Sequence, residues 1–104
     1  MNWNTPENKE LVAALLAVRT PDEIQRFLRD LMTPNEIEEF GKRFKAARML
    51  AAQESYPQIQ RATGLSQTTI ARVSKWLQRG ENGYRLVINR LQHHTPPSRE
   101  RGLR

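Results

Sequence analysis

No cysteine occurs in the 104 residues, which excludes a disulfide framework, a thiolate nucleophile and a cysteine metal site. No apolar run approaches membrane-spanning length, and the amino-terminal MNWNTPENKE has neither a basic leader nor an apolar h-region. Membrane insertion and secretion are therefore not expected, and a cytoplasmic protein is. No stretch alternates with period two, so the chain reads as all-α. Acidic residues are scarce in one half only. Residues 55–104 hold 2 acidic and 9 basic side chains, a net of +7, while residues 1–54 hold 9 and 8, a net of −1. That imbalance suggests a polyanion-facing half joined to a scaffold half, the plain alternative being a basic solvated surface.

Catalytic constellations are missing too. His93 and His94 are adjacent, so both cannot face one helix-bound metal, and a solvated pair is expected. Glu38 and Glu39 have no histidine, cysteine or glycine-rich loop beside them. Nothing satisfies the geometry of an active site, and no catalytic residue, metal or cofactor is expected. With a hydrophobic share of 38% and a mean hydropathy of −0.74, the length suits one domain with a small core that a second copy helps to finish.

What is present is regular punctuation. TPEN at 5–8, TPDE at 20–23 and TPNE at 33–36 each put a threonine cap before a proline that opens a helix, with acidic groups at the positive end of the dipole. Glu23 and Glu36 complete capping boxes. The spacing predicts helices over 6–18, 21–31 and 34–53. Leu11, Leu15, Leu16 and Val18 mark the first, Ile24, Phe27, Leu28 and Leu31 the second, and Ile37, Phe40, Phe44, Ala47, Leu50 and Ala51 the third. A short helix follows at 57–63, Gly64 suits the left-handed position after it, and Ser66 caps a fifth helix that runs to Gln78 before Gly80. A sixth at 83–93 places Tyr84, Val87, Ile88 and Leu91 on one face. The domain is expected over 1–92, with a flexible basic tail over 93–104. Trp3 lies in an arm whose role the sequence leaves open.

A turn of about three residues joins the fourth and fifth helices, the arrangement of a helix-turn-helix, in which the second helix enters the major groove. Ile59, Ala62, Leu65, Ile70, Val73 and Leu77 are the expected inward residues. Gln67, Thr68, Ala71, Arg72 and Lys75 are left outside, short polar or small side chains with basic ends. Gln67, Thr68 and Ala71 suit base edges, and Arg72 and Lys75 suit phosphates or a guanine. Gln58, Gln60, Arg61 and Arg79 would hold the register on the backbone, with Ser66 and Thr69 at the same end of the reading helix. Gln60 departs from the small residue that many such units carry there, and an αα-hairpin with no DNA role is the alternative.

DLMTPNEIEEFGKRFKAARML followed by YPQIQRATGLSQTTIARVSKWLQRGENGYRLVINRL resembles the Trp repressor family, and within it the YerC/YecD-like branch. The resemblance spans residues 8–92 and is most specific over TGLSQTTIARVSKWLQRGENGY. It implies a six-helix, intertwined homodimer in which the first three helices and the last exchange between subunits, with two helix-turn-helix readers on one side. It also implies a place for L-tryptophan, held by a threonine and two arginines that correspond to Thr33, Arg43 and Arg72. The family's glycine and serine at that place are Val73 and Trp76 here. A valine and an indole crowd a space meant for a free indole, and such overpacking costs about 1–3 kcal/mol. The expectation is a regulator that does not use tryptophan, with a remnant pocket in which Trp76 either props the reader or lies at a surface edge against the third helix. A sequence-specific, homodimeric binder of double-stranded DNA is thus the leading expectation. Its rival is a helical dimeric protein-interaction module that keeps a vestigial reader.

Overall fold

The structure is a computed structural model that describes residues 1–93. It contains α1 (Pro6–Ala17), α2 (Pro21–Leu31), α3 (Pro34–Ala51), α4 (Tyr56–Thr63), α5 (Gln67–Arg79) and α6 (Gly83–His93), and no strand among the described residues. His93, the first residue of the tail expected over 93–104, instead ends α6, and the rest of that tail, His94 included, lies outside the described residues.

The expected caps form. Thr5 Oγ1 accepts from Asn8 N at 3.2 Å and Thr20 Oγ1 from Glu23 N at 3.1 Å. At α3 the box is reciprocal: Thr33 Oγ1 accepts from Glu36 N at 3.1 Å and Glu36 Oε1 from Thr33 N at 2.9 Å. At α2 the returning carboxylate differs from expectation, since Glu23 Oε1 accepts from Arg19 N at 2.8 Å, one residue before the cap. The first helix stops at Ala17, one residue early, because Val18 is already extended. The third stops at Ala51 rather than 53. Gln53 takes the left-handed conformation with φ 63°, its N–H donates to Leu50 O at 2.9 Å, and Glu54 N donates to Met49 O at 3.0 Å. Those two bonds are the Schellman closure of a helix end, here without glycine.

The chain divides into two compact units, Met1–Glu38 and a second from Glu39 onward. In the first, neither α1 nor α2 buries a single residue. From Leu11 to Ala17, α1 is apolar on every side, a pattern that belongs to buried helices, yet Leu16 is 80% exposed. The second unit has a true core of Ala46, Ala47, Ile59, Leu65, Ile70, Val73, Leu77 and Ile88, with Phe44, Met49, Leu50 and Tyr84 against it. On α6, Ile88 is buried and Tyr84 half-buried, while Val87 and Leu91 of the same expected face stay exposed.

Candidate nucleic-acid interface

The helix-turn-helix is built by two caps and a knot in the turn. Ser55 opens α4 in a capping box with Gln58: Gln58 N donates to Ser55 Oγ at 3.3 Å, and Gln58 Oε1 accepts from Ser55 N at 3.0 Å. The helix therefore begins at Tyr56, one residue before the expected start. Gly64 ends it with φ 75°, and its N–H donates to Gln60 O at 2.8 Å. A side chain there would have to adopt a conformation that costs about 1–2 kcal/mol. Ser66 then caps α5, its Oγ accepting from Thr69 N at 3.1 Å.

One inward residue of the sequence reading is corrected. Ala62 is exposed, and Thr63 is buried instead. The step from Ile59 to Thr63 is one helical turn of four, and the threonine hydroxyl is satisfied inside. Its Oγ1 donates to Ile59 O at 2.7 Å and accepts from Leu65 N at 3.2 Å, which ties the turn to α4. Ile59, Leu65, Ile70, Val73 and Leu77 are buried as the periodicity predicts.

Outside, Gln67, Thr68, Ala71, Arg72 and Lys75 are all exposed on α5. Arg61, Arg79, Gln58 and Ser66 are exposed around them, and Gln60 and Thr69 are half-buried. Gln58 has its carbonyl oxygen engaged with Ser55, and Ser66 Oγ donates to Thr69 Oγ1 at 3.1 Å, so part of this polar rim is spent on capping. No acidic residue occurs from Ser55 to Gly80, where four cations do: Arg61, Arg72, Lys75 and Arg79. Among the described residues the ion pairs are Asp22–Arg26 and Glu39–Arg43, so none of these four is neutralised there. The result is an outer face with uncompensated positive charge, suited to a polyanion.

Sequence reasoning did not foresee what fixes the far end of α5. Arg85 Nε donates to Leu77 O at 3.1 Å, so a cation from α6 satisfies a terminal carbonyl of the reading helix. The cap position after α5 is open to glycine for a steric reason: a Cβ on Gly80 would collide with the Trp76 carbonyl.

The residues of the remnant pocket are distributed as follows. Thr33 lies in the first unit, with its hydroxyl engaged in the α3 cap. Val73 is completely buried in the core of the second. Arg72 is exposed. Arg43 and Trp76 come together, the guanidinium carbon 5.9 Å from the centre of the indole. Beside them lies an open, mostly apolar groove lined by Phe44, Trp76, Tyr84 and Val87, with Glu81 at its edge. Burial pushes the Tyr84 hydroxyl above its ordinary pKa, while the Arg43 charge lowers it. No cluster of three or more histidine or acidic side chains that could hold a metal occurs among the described residues, and no helix there is long and apolar enough to cross a membrane.

These features define a class: an all-α chain displaying a helix-turn-helix with a cationic, acid-free outer face. The chain belongs to the Trp repressor family, whose model, described as Trp repressor protein, matches residues 7–92. It is 35% identical over 86 residues to the uncharacterized protein YerC of Bacillus subtilis, covering 83% of each chain. It is also similar to the crystal structure of a TrpR-like protein from Eubacterium eligens, with 37% identity and a TM-score of 0.84 over 86% of this chain and 93% of that one. A Trp repressor candidate from Staphylococcus aureus matches with 30% identity and a TM-score of 0.83 over 88% of this chain and 95% of that one.

Proposed function

We propose that the protein is a sequence-specific, DNA-binding transcriptional regulator of the cytoplasm that works as a homodimer and without tryptophan. The family is one of regulatory DNA binders, and no enzymatic role is proposed. The observation that carries the proposal is the acid-free segment from Ser55 to Gly80, with four uncompensated cations around an exposed reading helix. Gln67, Thr68 and Ala71 read base edges, the threonine and alanine methyls suiting a thymine methyl. Arg72 and Lys75 hold phosphates or a guanine, and Gln58, Gln60, Arg61, Ser66, Thr69 and Arg79 fix the register on the backbone.

Two physical arguments support the dimer. The stretch 11–17 of α1, apolar on every side with no buried residue, needs a cover, and so do exposed Val87 and Leu91 on α6. Independence from tryptophan rests on Val73, which fills the core, and on Trp76, whose indole already lies against Arg43. A calorimetric titration with L-tryptophan gives no saturable heat on this account; one site per subunit would contradict it.

Selection of bound duplexes from a random pool tests the function. A recurring site with two half-sites about one helical turn apart, bound with an affinity that falls steeply with salt, is the expected result. Failure to enrich any duplex, together with a salt-insensitive protein partner, would instead favour the interaction module.

A further inference from the structure

Two aromatic rings flank one guanidinium at the root of the reader. Arg43 Cζ lies 5.6 Å from the centre of the Phe40 ring and 5.9 Å from that of Trp76. Both fall within the roughly 6 Å over which a ring face attracts a cation. Glu39 Oε2 accepts from Arg43 Nε at 3.1 Å, so the guanidinium is held by a carboxylate and a ring of its own helix before Trp76 meets it. The pair is only partly wet, with the two side chains 32% and 40% exposed.

The position of the fourth partner gives the arrangement its meaning. Glu39, Phe40 and Arg43 stand on α3, and Trp76 stands on α5. Among the described residues the backbone of α5 closely approaches α4 and α6 but not α3, so side chains alone join the reading helix to α3. Trp76 adds little to the core: it is 43% exposed, while its neighbours Val73 and Leu77 are buried. Its ring is thus available for a directional interaction rather than for filling space.

We propose that Trp76 and Arg43 form a latch that sets the orientation of α5 against α3, with Glu39 and Phe40 fixing the guanidinium that receives the indole. Trp76 and Arg43 are positioning residues in this scheme and touch no DNA. The effect on DNA affinity rests on the function proposed above, whereas the latch itself does not.

Replacing Trp3 by phenylalanine leaves Trp76 as the one indole, and its emission then reports on the latch. In that full-length background, Arg43→Met removes the cation while keeping an unbranched side chain of similar reach. The expected results are a shift of Trp76 emission and amide exchange along α5 faster by about five-fold. Affinity for selected and scrambled duplexes should fall by a common factor of similar size, at unchanged salt slope. Trp76→Ala should lose affinity in the same uniform way, and Trp76→Phe should recover part of it because a ring face is restored. Unchanged emission and exchange in Arg43→Met would overturn the latch. So would a Trp76→Ala variant with altered sequence preference or salt slope, because the ring would then be touching DNA. If the parent binds no duplex, the proposed function fails, and emission and exchange still decide the latch.

Discussion

The two units of this chain spend similar apolar residues in opposite ways. From Glu39 onward, eight apolar residues are buried around the helix-turn-helix, three of them large and completely enclosed. Up to Glu38, Leu11, Val12, Leu15, Leu16, Ile24 and Leu31 are all exposed, and no residue of α1 or α2 is buried. Capping side chains close helix starts in both units. The difference is therefore tertiary: the helix-turn-helix encloses a core within one chain, whereas no residue of α1 or α2 is buried and Val87 and Leu91 of α6 stay exposed as well. On the proposed function, a second copy supplies the missing cover.

The sharpest way to break this contrast is a charge on α1. Leu16→Asp costs little in a lone chain, where the position faces water. In the proposed dimer it buries an unpaired carboxylate, which is strongly disfavoured. The expected outcome in sedimentation is loss of the dimer, with a parent Tm that rises with concentration and a variant Tm that does not. A parent that stays a folded monomer at micromolar concentration would remove the contrast's explanation.

The second unit should respond locally. Ile70→Ala opens a cavity in an enclosed core and should cost about 2–5 kcal/mol in denaturant unfolding. Thr63→Val keeps the volume but leaves Leu65 N–H without its partner, and the expected loss is about 1–3 kcal/mol. Gln53→Gly should act in the other direction. It relieves a left-handed glutamine at the end of α3 and should raise stability by up to about 1 kcal/mol, read as a higher midpoint.

Six helices are legible in the sequence because their boundaries are written in local chemistry. The threonine-proline starts, Ser66 and Gly64 satisfy or terminate backbone hydrogen bonds whatever the helices later pack against. Sequence reasoning fails where a polar side chain does two jobs. Thr63 is left out of the expected inward residues in favour of Ala62, yet its hydroxyl finds both partners inside, and so it is buried. Gln58 looks like a backbone-holding residue, although Ser55 three residues before it already writes a capping box that the fold forms. The end of α3 falls two residues before its expected place because glutamine, not glycine, closes it. Of the candidate interface, the outward face of α5 follows from period and charge alone. The Arg85 tie to Leu77 O does not, since no local pattern connects its two helices, and the nearness of Arg43 and Trp76 is implied only by the family resemblance, which sets both in one pocket.

The outer face of α5 as the reader of duplex DNA is tested most directly by binding isotherms at several salt concentrations on selected and scrambled duplexes, for the parent, Thr68→Leu and Lys75→Ala. Thr68→Leu should change the discrimination between the two duplexes by about 1–3 kcal/mol, because a mismatch at a base edge costs that much. Lys75→Ala should weaken both alike and lower the salt slope by about 1, because one phosphate is no longer neutralised by the ammonium. Isotherms for both variants that overlay the parent on both duplexes would contradict the account, and the exposed face of α5 would then have to serve something other than DNA.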